Sequence, residues 1–168
     1  MLDLDNPNAG WQERARVPEA GDHTSVEVID GKVYVVGGEH GHAAKLPEDD
    51  APYVQHDYTY RYDPATDAWE KLADMPQGRS HAEGTSFQAN GKIVVMGGKL
   101  NATDVSDRID VYDPATNTWT TSLTPLPKPW QGGAAIYANG NVYLSHGQTG
   151  APDHSMWRGT WVGSLFGV

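Results

Sequence analysis

Short apolar runs, each introduced by a tight polar turn, recur along the chain and predict β-strands. Three of them follow an Asp-Gly or Asn-Gly dipeptide and cover 32–36, 92–96 and 141–145. Both dipeptides favour the type I′ turn of a β-hairpin, because its two central residues need a positive φ. The runs are rich in β-branched and aromatic residues, as buried strands are. Each run is therefore predicted to be the second strand of a hairpin.

A second element occurs twice with almost the same letters. Tyr62–Trp69 and Tyr112–Trp119 both read Tyr-Asp-Pro-Ala-Thr, then two variable residues, then Trp. Asp before Pro favours a type I turn, because Pro fixes φ and the Asp carboxylate accepts a backbone hydrogen bond two residues on. Asp67 and Asn117 tolerate the left-handed conformation that ends such a turn. The Tyr is predicted to end a third strand and the Trp to begin a fourth.

These elements repeat in a fixed order. Trp11, Trp69 and Trp119 recur at intervals close to the ~50-residue period of one known repeat class. Taken together, the hairpin, the Gly-Gly pair after it, Tyr-Asp-Pro and Trp resemble the kelch repeat, whose units are the four-stranded blades of a β-propeller. The resemblance covers nearly the whole chain and implies an all-β fold. It implies no particular activity, because one fold hosts many functions.

The repeat boundaries predict a half-propeller with one blade cut in two. Its expected units are the outer hairpin of the split blade (1–19), two complete blades (20–75 and 76–126), and the inner strands of the split blade with a C-terminal tail (127–168). In the tail, 156–165 is expected to form a third strand, and nothing after it resembles a fourth.

Three blades predict assembly. Propellers usually have four to eight blades, and open half-blades are strand edges that invite pairing with another chain. Two chains would close a six-bladed ring with twofold symmetry, in which the N-terminal hairpin of each chain completes the partner's third blade. The alternatives are a fragment of a longer natural chain and an engineered half-propeller.

Composition excludes several function classes. The chain has no Cys, so a thiolate metal site, a cysteine nucleophile and the cysteine-crosslinked copper site of galactose-oxidase-type kelch enzymes are ruled out. A formal charge of −10 disfavours nucleic acid and anionic membrane surfaces as partners. The first residues show no signal-peptide pattern, and the localisation is left open.

The candidate binding residues fall at the start of the inner strands. His23 and His81 follow their tryptophans at the same distance, and Gln131 is expected at the same place in the third repeat. Arg79 lies beside them, and Trp130 is expected to offer a stacking face. The hypothesis is a polar mouth for a small neutral ligand such as a sugar. The alternative is that the histidines are repeat residues that bond to neighbouring backbone.

A metal site is a weaker hypothesis. The long loop 39–55 contains His40 and His42, with Glu39 and His56 near them, and imidazole nitrogens bind Zn²⁺. A His-x-His pair in a loop is a loose signal, since structural metal sites need fixed ligands. No cofactor and no native metal are therefore predicted.

The function predicted from these observations is a non-catalytic scaffold or binding module that assembles with itself. The alternative is a carbohydrate-binding or carbohydrate-active kelch protein, similar to a sugar epimerase or mutarotase, whose acid–base chemistry needs only His, Arg and Glu at the mouth. An adaptor for acidic motifs is disfavoured, because the chain has few basic residues.

Overall fold

The computed structural model describes residues 4–41, 53–162 and 165–166. Within these ranges the chain has one 3-10 turn, Pro7–Ala9, and sixteen β-strands. In chain order the strands are β1 (Ser25–Ile29), β2 (Lys32–Val36), β3 (Glu39–His40), β4 (Val54–Gln55), β5 (Thr59–Asp63), β6 (Ala68–Lys71), β7 (Ser86–Ala89), β8 (Lys92–Met96), β9 (Ile109–Asp113), β10 (Thr118–Thr121), β11 (Ala134–Ala138), β12 (Asn141–Ser145), β13 (Gln148–Thr149), β14 (Ala151–Pro152), β15 (Met156–Val162) and β16 (Leu165–Phe166). No helix in the described ranges is long and apolar enough to cross a bilayer.

Twelve of these strands form three four-stranded antiparallel sheets, which we call the first, second and third blades. Their strand orders are β1-β2-β5-β6, β7-β8-β9-β10 and β11-β12-β15-β16. The remaining strands form two short hairpins, β3–β4 and β13–β14. The predicted all-β fold of three blades is confirmed.

The hairpin turns have the predicted backbone. Positive φ occurs at both central residues of all three turns, which are Asp30-Gly31, Asn90-Gly91 and Asn139-Gly140. Each turn joins the first and second strand of its blade in register, for example with Ile29 opposite Lys32. The type I′ turns predicted from Asp-Gly and Asn-Gly are therefore confirmed.

The Tyr-Asp-Pro turns also form as predicted. The backbone N–H of Ala65 donates to Asp63 Oδ1 at 2.9 Å, and Ala115 donates to Asp113 Oδ1 at 3.0 Å. Left-handed residues follow in both turns, Asp67 and Asn117. Local sequence thus determines the outer hairpin of the first two blades.

The C-terminal tail completes the third blade further than predicted. Its third strand, β15, pairs with β12 as expected. The expectation that no fourth strand follows is wrong, because β16 pairs with Trp161 and Val162 at the end of β15. This strand is two residues long, and no Asp-Pro dipeptide precedes it in the sequence.

The N-terminal segment lies against the first blade without forming a strand of it. Residues 4–21 contain no strand in the described chain. Ala15 donates its N–H to Asp67 Oδ1 at 3.0 Å, and its carbonyl accepts from Trp69 Nε1 at 2.9 Å. The outer hairpin predicted for 1–19 pairs with no strand among the described residues, so its role stays a prediction.

The same pair of hydrogen bonds recurs one repeat later. Ala73 donates to Asn117 Oδ1 at 2.9 Å and accepts from Trp119 Nε1 at 3.0 Å. Ala73 follows the fourth strand of the first blade. Its two hydrogen bonds therefore connect the end of the first blade to the outer strands of the second. Ala15 therefore stands at the position that follows a fourth strand.

The core is the packing of blade on blade. One buried cluster lies between the first and second blades, and the other lies between the second and third. Strand β8 of the second blade contributes to both clusters, because its successive side chains point to opposite faces of the sheet. Ile93 and Val95 face the first blade, while Val94 and Met96 face the third. All four are almost completely buried.

The outer faces of the first and third blades carry apolar residues that remain exposed. Val26 and Val28 of β1 are 55% and 58% exposed, and Ile136 of β11 is 62% exposed. In the second blade the counterparts of Val26 and Ile136 are Ser86 and Phe87, and both are buried. The two end blades thus each leave one apolar face exposed, at opposite ends of the stack of blades.

A buried ion pair lies between the first and second blades. Arg79 Nη2 contacts Asp110 Oδ2, and neither side chain has accessible surface. Asp110 Oδ1 also accepts from Thr121 Oγ1 at 2.6 Å. Two buried charges depend on each other, because a lone buried charge is strongly unfavourable.

We expect Trp119→Ala to lower the free energy of unfolding by about 2–4 kcal/mol, since its half-buried indole packs on the core between the first two blades. Trp119→Phe keeps most of the packing and loses the bond to Ala73, so it should cost about 1 kcal/mol. Urea unfolding of both variants tests this. An unchanged midpoint for Trp119→Ala would contradict the packing role of the indole.

We expect Asp110→Ala to destabilise the chain by about 3–5 kcal/mol, because it leaves the Arg79 guanidinium buried without its carboxylate. The double variant Arg79→Leu with Asp110→Leu should recover most of that loss, since an apolar pair removes both charges. Thermal and urea unfolding of the single and double variants measure this. A double variant as unstable as the single one would be inconsistent with this explanation.

Candidate functional site

The first and second blades each place a histidine just before the inner strand. His23 and His81 both have a left-handed backbone, with φ of 49° and 55°. This conformation is unfavourable for L-residues, although histidine adopts it more often than most. In the third blade Gly132 has a φ of 59° at the start of the inner strand. Two of the three blades thus carry an imidazole at a position suited to glycine.

The third blade is shifted by one residue relative to the predicted ring. Gln131 forms the isolated strand bridge that Ser80 forms in the second blade. Gln131 therefore corresponds to Ser80, and Gly132 corresponds to His81. The cause is one extra residue between Trp119 and the bridge. Gln131 remains a ligand-contact prediction, but it does not occupy the position expected for it.

The two histidines are brought together by the packing of β1 beside β7. Their rings stack, with centroids 3.9 Å apart and planes 17° from parallel. His23 Nδ1 lies 3.0 Å from Glu83 Oε1, so the carboxylate orients that ring. Both imidazoles are partly exposed. Sequence spacing predicted that the two residues are equivalent, and the structure shows that they touch.

Glu39 lies behind the histidines and is completely buried. Its Oε2 accepts hydrogen bonds from Tyr53 Oη at 2.8 Å, Gln55 Nε2 at 3.0 Å and Ser80 Oγ at 2.6 Å. Burial by itself raises the pKa of the carboxyl, but these hydrogen bonds outweigh it and lower the pKa to about 2. Glu39 is therefore a carboxylate held in one orientation.

Of the two stacked histidines, His81 is the one that lies beside the Glu39 carboxylate. His81 Nδ1 lies 3.6 Å from Glu39 Oε2 and 2.9 Å from Ser80 Oγ. Burial lowers the pKa of His81, and the neighbouring His23 lowers it further, while Glu39 and Glu83 oppose the shift. We call His23, Glu39, His81 and Glu83 the mouth cluster.

Two predicted members of the mouth lie in the core. Arg79 forms the buried pair with Asp110, and Trp130 is 0% exposed. A Cβ placed on Gly133 or Gly147 would lie within 2.4 Å of Trp130 Nε1, so the backbone packs closely against that edge of the indole. The stacking face expected of Trp130 is therefore turned into the blade interface. Repeat position alone did not reveal which way either side chain points.

The weaker metal hypothesis concerned the long loop. His40 is in β3, and His56 stacks on Tyr58 with ring centroids 4.7 Å apart. Burial and the nearby His40 lower the pKa of His56. His42 lies outside the described residues. The group of metal-ligating side chains found in the described chain contains His23, Glu39 and His81 instead.

Sequence reasoning placed Glu39 with the loop and overlooked Glu83. Glu39 follows the Gly-Gly pair directly, and the bridge from Asp22 to Glu39 carries it to the inner strands. Glu83 lies two residues after His81 but bonds to His23 of the neighbouring blade. No local pattern announces that contact, because it crosses between blades.

A second feature is an apolar cavity of about 320 Å³ between the second and third blades. It is lined by side chains of both blades, among them Met96, Ile109, Leu126, Val142 and Leu144. β15 borders it with Trp157, Arg158, Gly159 and Thr160.

The matching space between the first and second blades is filled. There the rings of Tyr112 and Trp119 pack at a tilt, with centroids 5.1 Å apart, and Tyr112 is fully buried. Tyr112 pairs with Ile93 on the middle strand, and in the third blade Gly159 takes that place opposite Val142. The cavity thus lies where the other interface holds a tyrosine and a tryptophan.

Comparison with known proteins agrees with this architecture. The kelch motif matches residues 21–76 and 85–122, more than half of the chain. Kelch-like protein terF of Aspergillus terreus is 33% identical over 126 residues, 71% of this chain and 26% of that protein. Kelch-like protein 36 of Rattus norvegicus is 30% identical over 144 residues, 86% of this chain and 22% of that protein. The chain spans about a quarter of the length of these relatives.

Two further comparisons concern an enzyme sequence and a solved structure. N-acetylneuraminate epimerase of Brucella suis is 29% identical over 155 residues, 70% of this chain and 39% of that protein. The solved structure of YjhT superposes with a TM-score of 0.76 at 18% identity, covering 94% of this chain and 54% of that one. At this identity the structural likeness bears on the fold alone. The motif matches and the three stacked blades together show that the chain belongs to the kelch family and folds as a kelch β-propeller scaffold.

Proposed function

We propose that this chain is a non-catalytic binding scaffold that closes its propeller with a second copy of itself. In the proposed assembly, the segment around Trp11 of each chain adds to the free edge of β15 in its partner. One observation carries the proposal. The chain has an exposed tryptophan at the repeat position whose counterpart fills a blade interface, and it has an unfilled interface of the same kind.

Trp11 is the exposed tryptophan. It is 82% exposed, whereas its counterpart Trp119 packs into the core between two blades. Ala15 follows Trp11 by four residues, as Ala73 follows Trp69. Each alanine accepts a hydrogen bond from the next tryptophan along the chain, Trp69 or Trp119. The third residue of this series, Leu123, is 94% exposed, as expected if no tryptophan covers it within this chain. The cavity beside it offers the apolar surroundings that an indole needs.

The register of the pairing follows from the second blade. There Trp119 lies opposite Tyr112, and Gly159 is the residue equivalent to Tyr112. Trp11 of a second copy would thus lie opposite Gly159, with its indole in the cavity. β16 pairs with Trp161 and Val162 only, so the preceding part of β15 keeps one edge open in the described chain. An open edge of this kind readily accepts another strand.

The end faces support the same assembly. Val26 and Val28 face away from the second blade, and so does Ile136 at the other end of the chain. In a ring, the outer face of the third blade packs on the outer face of the first blade of the partner. Two such contacts related by a twofold axis bury both faces and give six blades, within the usual range for propellers.

The proposed binding surface is the mouth cluster. Closure would bring two such clusters, one from each chain, to the same side of the ring. Stacked imidazoles next to carboxylates suit a small polar ligand in a preformed concave site. Binding without catalysis fits the burial of Arg79 and Trp130, which leaves those two side chains in the core.

We expect the purified chain to have about twice the mass of its 18.3 kDa monomer by light scattering. Trp11→Ala should shift the population towards monomer, because it removes the side chain that fills the cavity. Val54→Ala, an exposed apolar residue outside both contacts, is the matched control and should leave the mass unchanged. A folded monomer at micromolar concentration would overturn the proposed assembly.

Paired cysteines test the register directly, since the chain has no Cys of its own. The register places Gln12 of one chain opposite Arg158 of the other, and facing residues of paired strands lie within disulfide distance. Gln12→Cys with Arg158→Cys should form an intermolecular disulfide under mild oxidation. Gln12→Cys with Gln148→Cys should not. Equal crosslinking of the two pairs would contradict the register.

Carbohydrate chemistry is the second candidate, favoured by the similarity to the epimerase of Brucella suis. His81, His23 and the two carboxylates are groups that transfer protons to sugars in general acid–base catalysis. The scaffold proposal expects the chain to leave the rate of anomer exchange of N-acetylneuraminate unchanged by NMR. An acceleration that disappears in His81→Gly would replace it with the catalytic proposal.

A further inference from the structure

The mouth cluster combines side chains that transition metals prefer. His23, Glu39 and His81 each offer one ligating atom, and these atoms lie within 4.8 Å of one another. Two imidazoles and one carboxylate suit Zn²⁺ and its neighbours in the first transition row, whereas Mg²⁺ and Ca²⁺ prefer all-oxygen sites. The three residues come from different parts of two blades, and blade packing assembles them.

The ligating groups are oriented before any ion binds. The Glu39 carboxylate is held by Tyr53, Gln55 and Ser80. Glu83 lies against His23 Nδ1, in the manner of the carboxylates that orient metal-bound histidines in many sites. Hydrogen bonds thus orient Glu39 and His23, and binding requires the stacked imidazoles to turn so that one nitrogen of each ring points at the same ion.

The backbone gives a second, independent observation. His23 and His81 adopt a left-handed conformation that glycine would adopt without strain. The third blade places Gly132 there, so the fold itself does not require histidine at this position. Strained residues of this kind cluster at functional sites. The turn alone therefore does not account for two imidazoles that lie beside Glu39 and Glu83.

We propose that His23, Glu39 and His81 bind one divalent transition-metal ion per chain, with Glu83 as a positioning residue for His23. The buried Glu39 closes the site from inside, and the partly exposed imidazoles leave it open to solvent on the other side. An open site of three protein ligands leaves a coordination position for water or for a polar ligand atom. The site lies within a single chain and does not depend on dimerisation.

The test is titration of the untagged chain with ZnCl₂ by calorimetry, with Co²⁺ as a spectroscopic probe. We expect one Zn²⁺ per chain, a rise in melting temperature on binding and visible Co²⁺ bands of a low-coordinate site. His23→Gly and His81→Gly should each weaken binding at least a hundredfold. Glycine suits the backbone at both positions, so these variants remove the imidazole without straining the turn. Glu83→Gln should weaken binding about tenfold.

His146→Gly is the matched control. His146 also has a left-handed backbone, with a φ of 58°, and its Nδ1 lies 2.9 Å from the hydroxyl of the preceding serine, as in His81. It is outside the cluster, so this variant should bind Zn²⁺ like the parent. Unchanged Zn²⁺ affinity in His23→Gly and His81→Gly would overturn the proposal and assign binding elsewhere. A loss in His146→Gly equal to that in His81→Gly would also overturn it.

Discussion

Every blade in this chain is apolar on both faces, and each therefore needs a neighbour on both sides. The second blade satisfies that need, because Ile93 and Val95 pack against one neighbour while Val94 and Met96 pack against the other. The end blades have only one neighbour each, so their outer faces and the cavity beside β15 are left uncovered. The histidine stack, the buried Arg79 pair and the proposed assembly all follow from this two-sided packing.

The fold was predictable because most of its determinants are local. Asp-Gly, Asn-Gly and Tyr-Asp-Pro act through the backbone of adjacent residues, and their turns form as expected. The short strand β16 was missed because its hairpin lacks these signals. Spacing also misplaced Gln131, since one added residue before the inner strand moves glycine into the position of His81. A few adjacent residues are enough to predict a turn. The alignment of one blade with the next also depends on the length of the linker between them, which the structure shows.

The site was predictable in outline only. Repeat spacing identified His23 and His81, because equivalent residues of neighbouring blades come close together in a stack of sheets. It did not identify the roles of Glu39 and Glu83, whose contacts cross from one blade to the next. It also placed Arg79 and Trp130 at the surface, although both side chains turn inward. Side-chain direction depends on what the neighbouring blade leaves room for, and sequence periodicity carries no such information.

The left-handed position before each inner strand has an evolutionary consequence. Because glycine and histidine are both accommodated there, a single substitution in either direction adds or removes an imidazole while the turn keeps its shape. At this position the side chain can change between glycine and histidine while the backbone of the blade stays the same. If a repeat is duplicated together with its histidine, it already supplies one imidazole of such a pair. A histidine at the same position of the neighbouring blade then completes the pair.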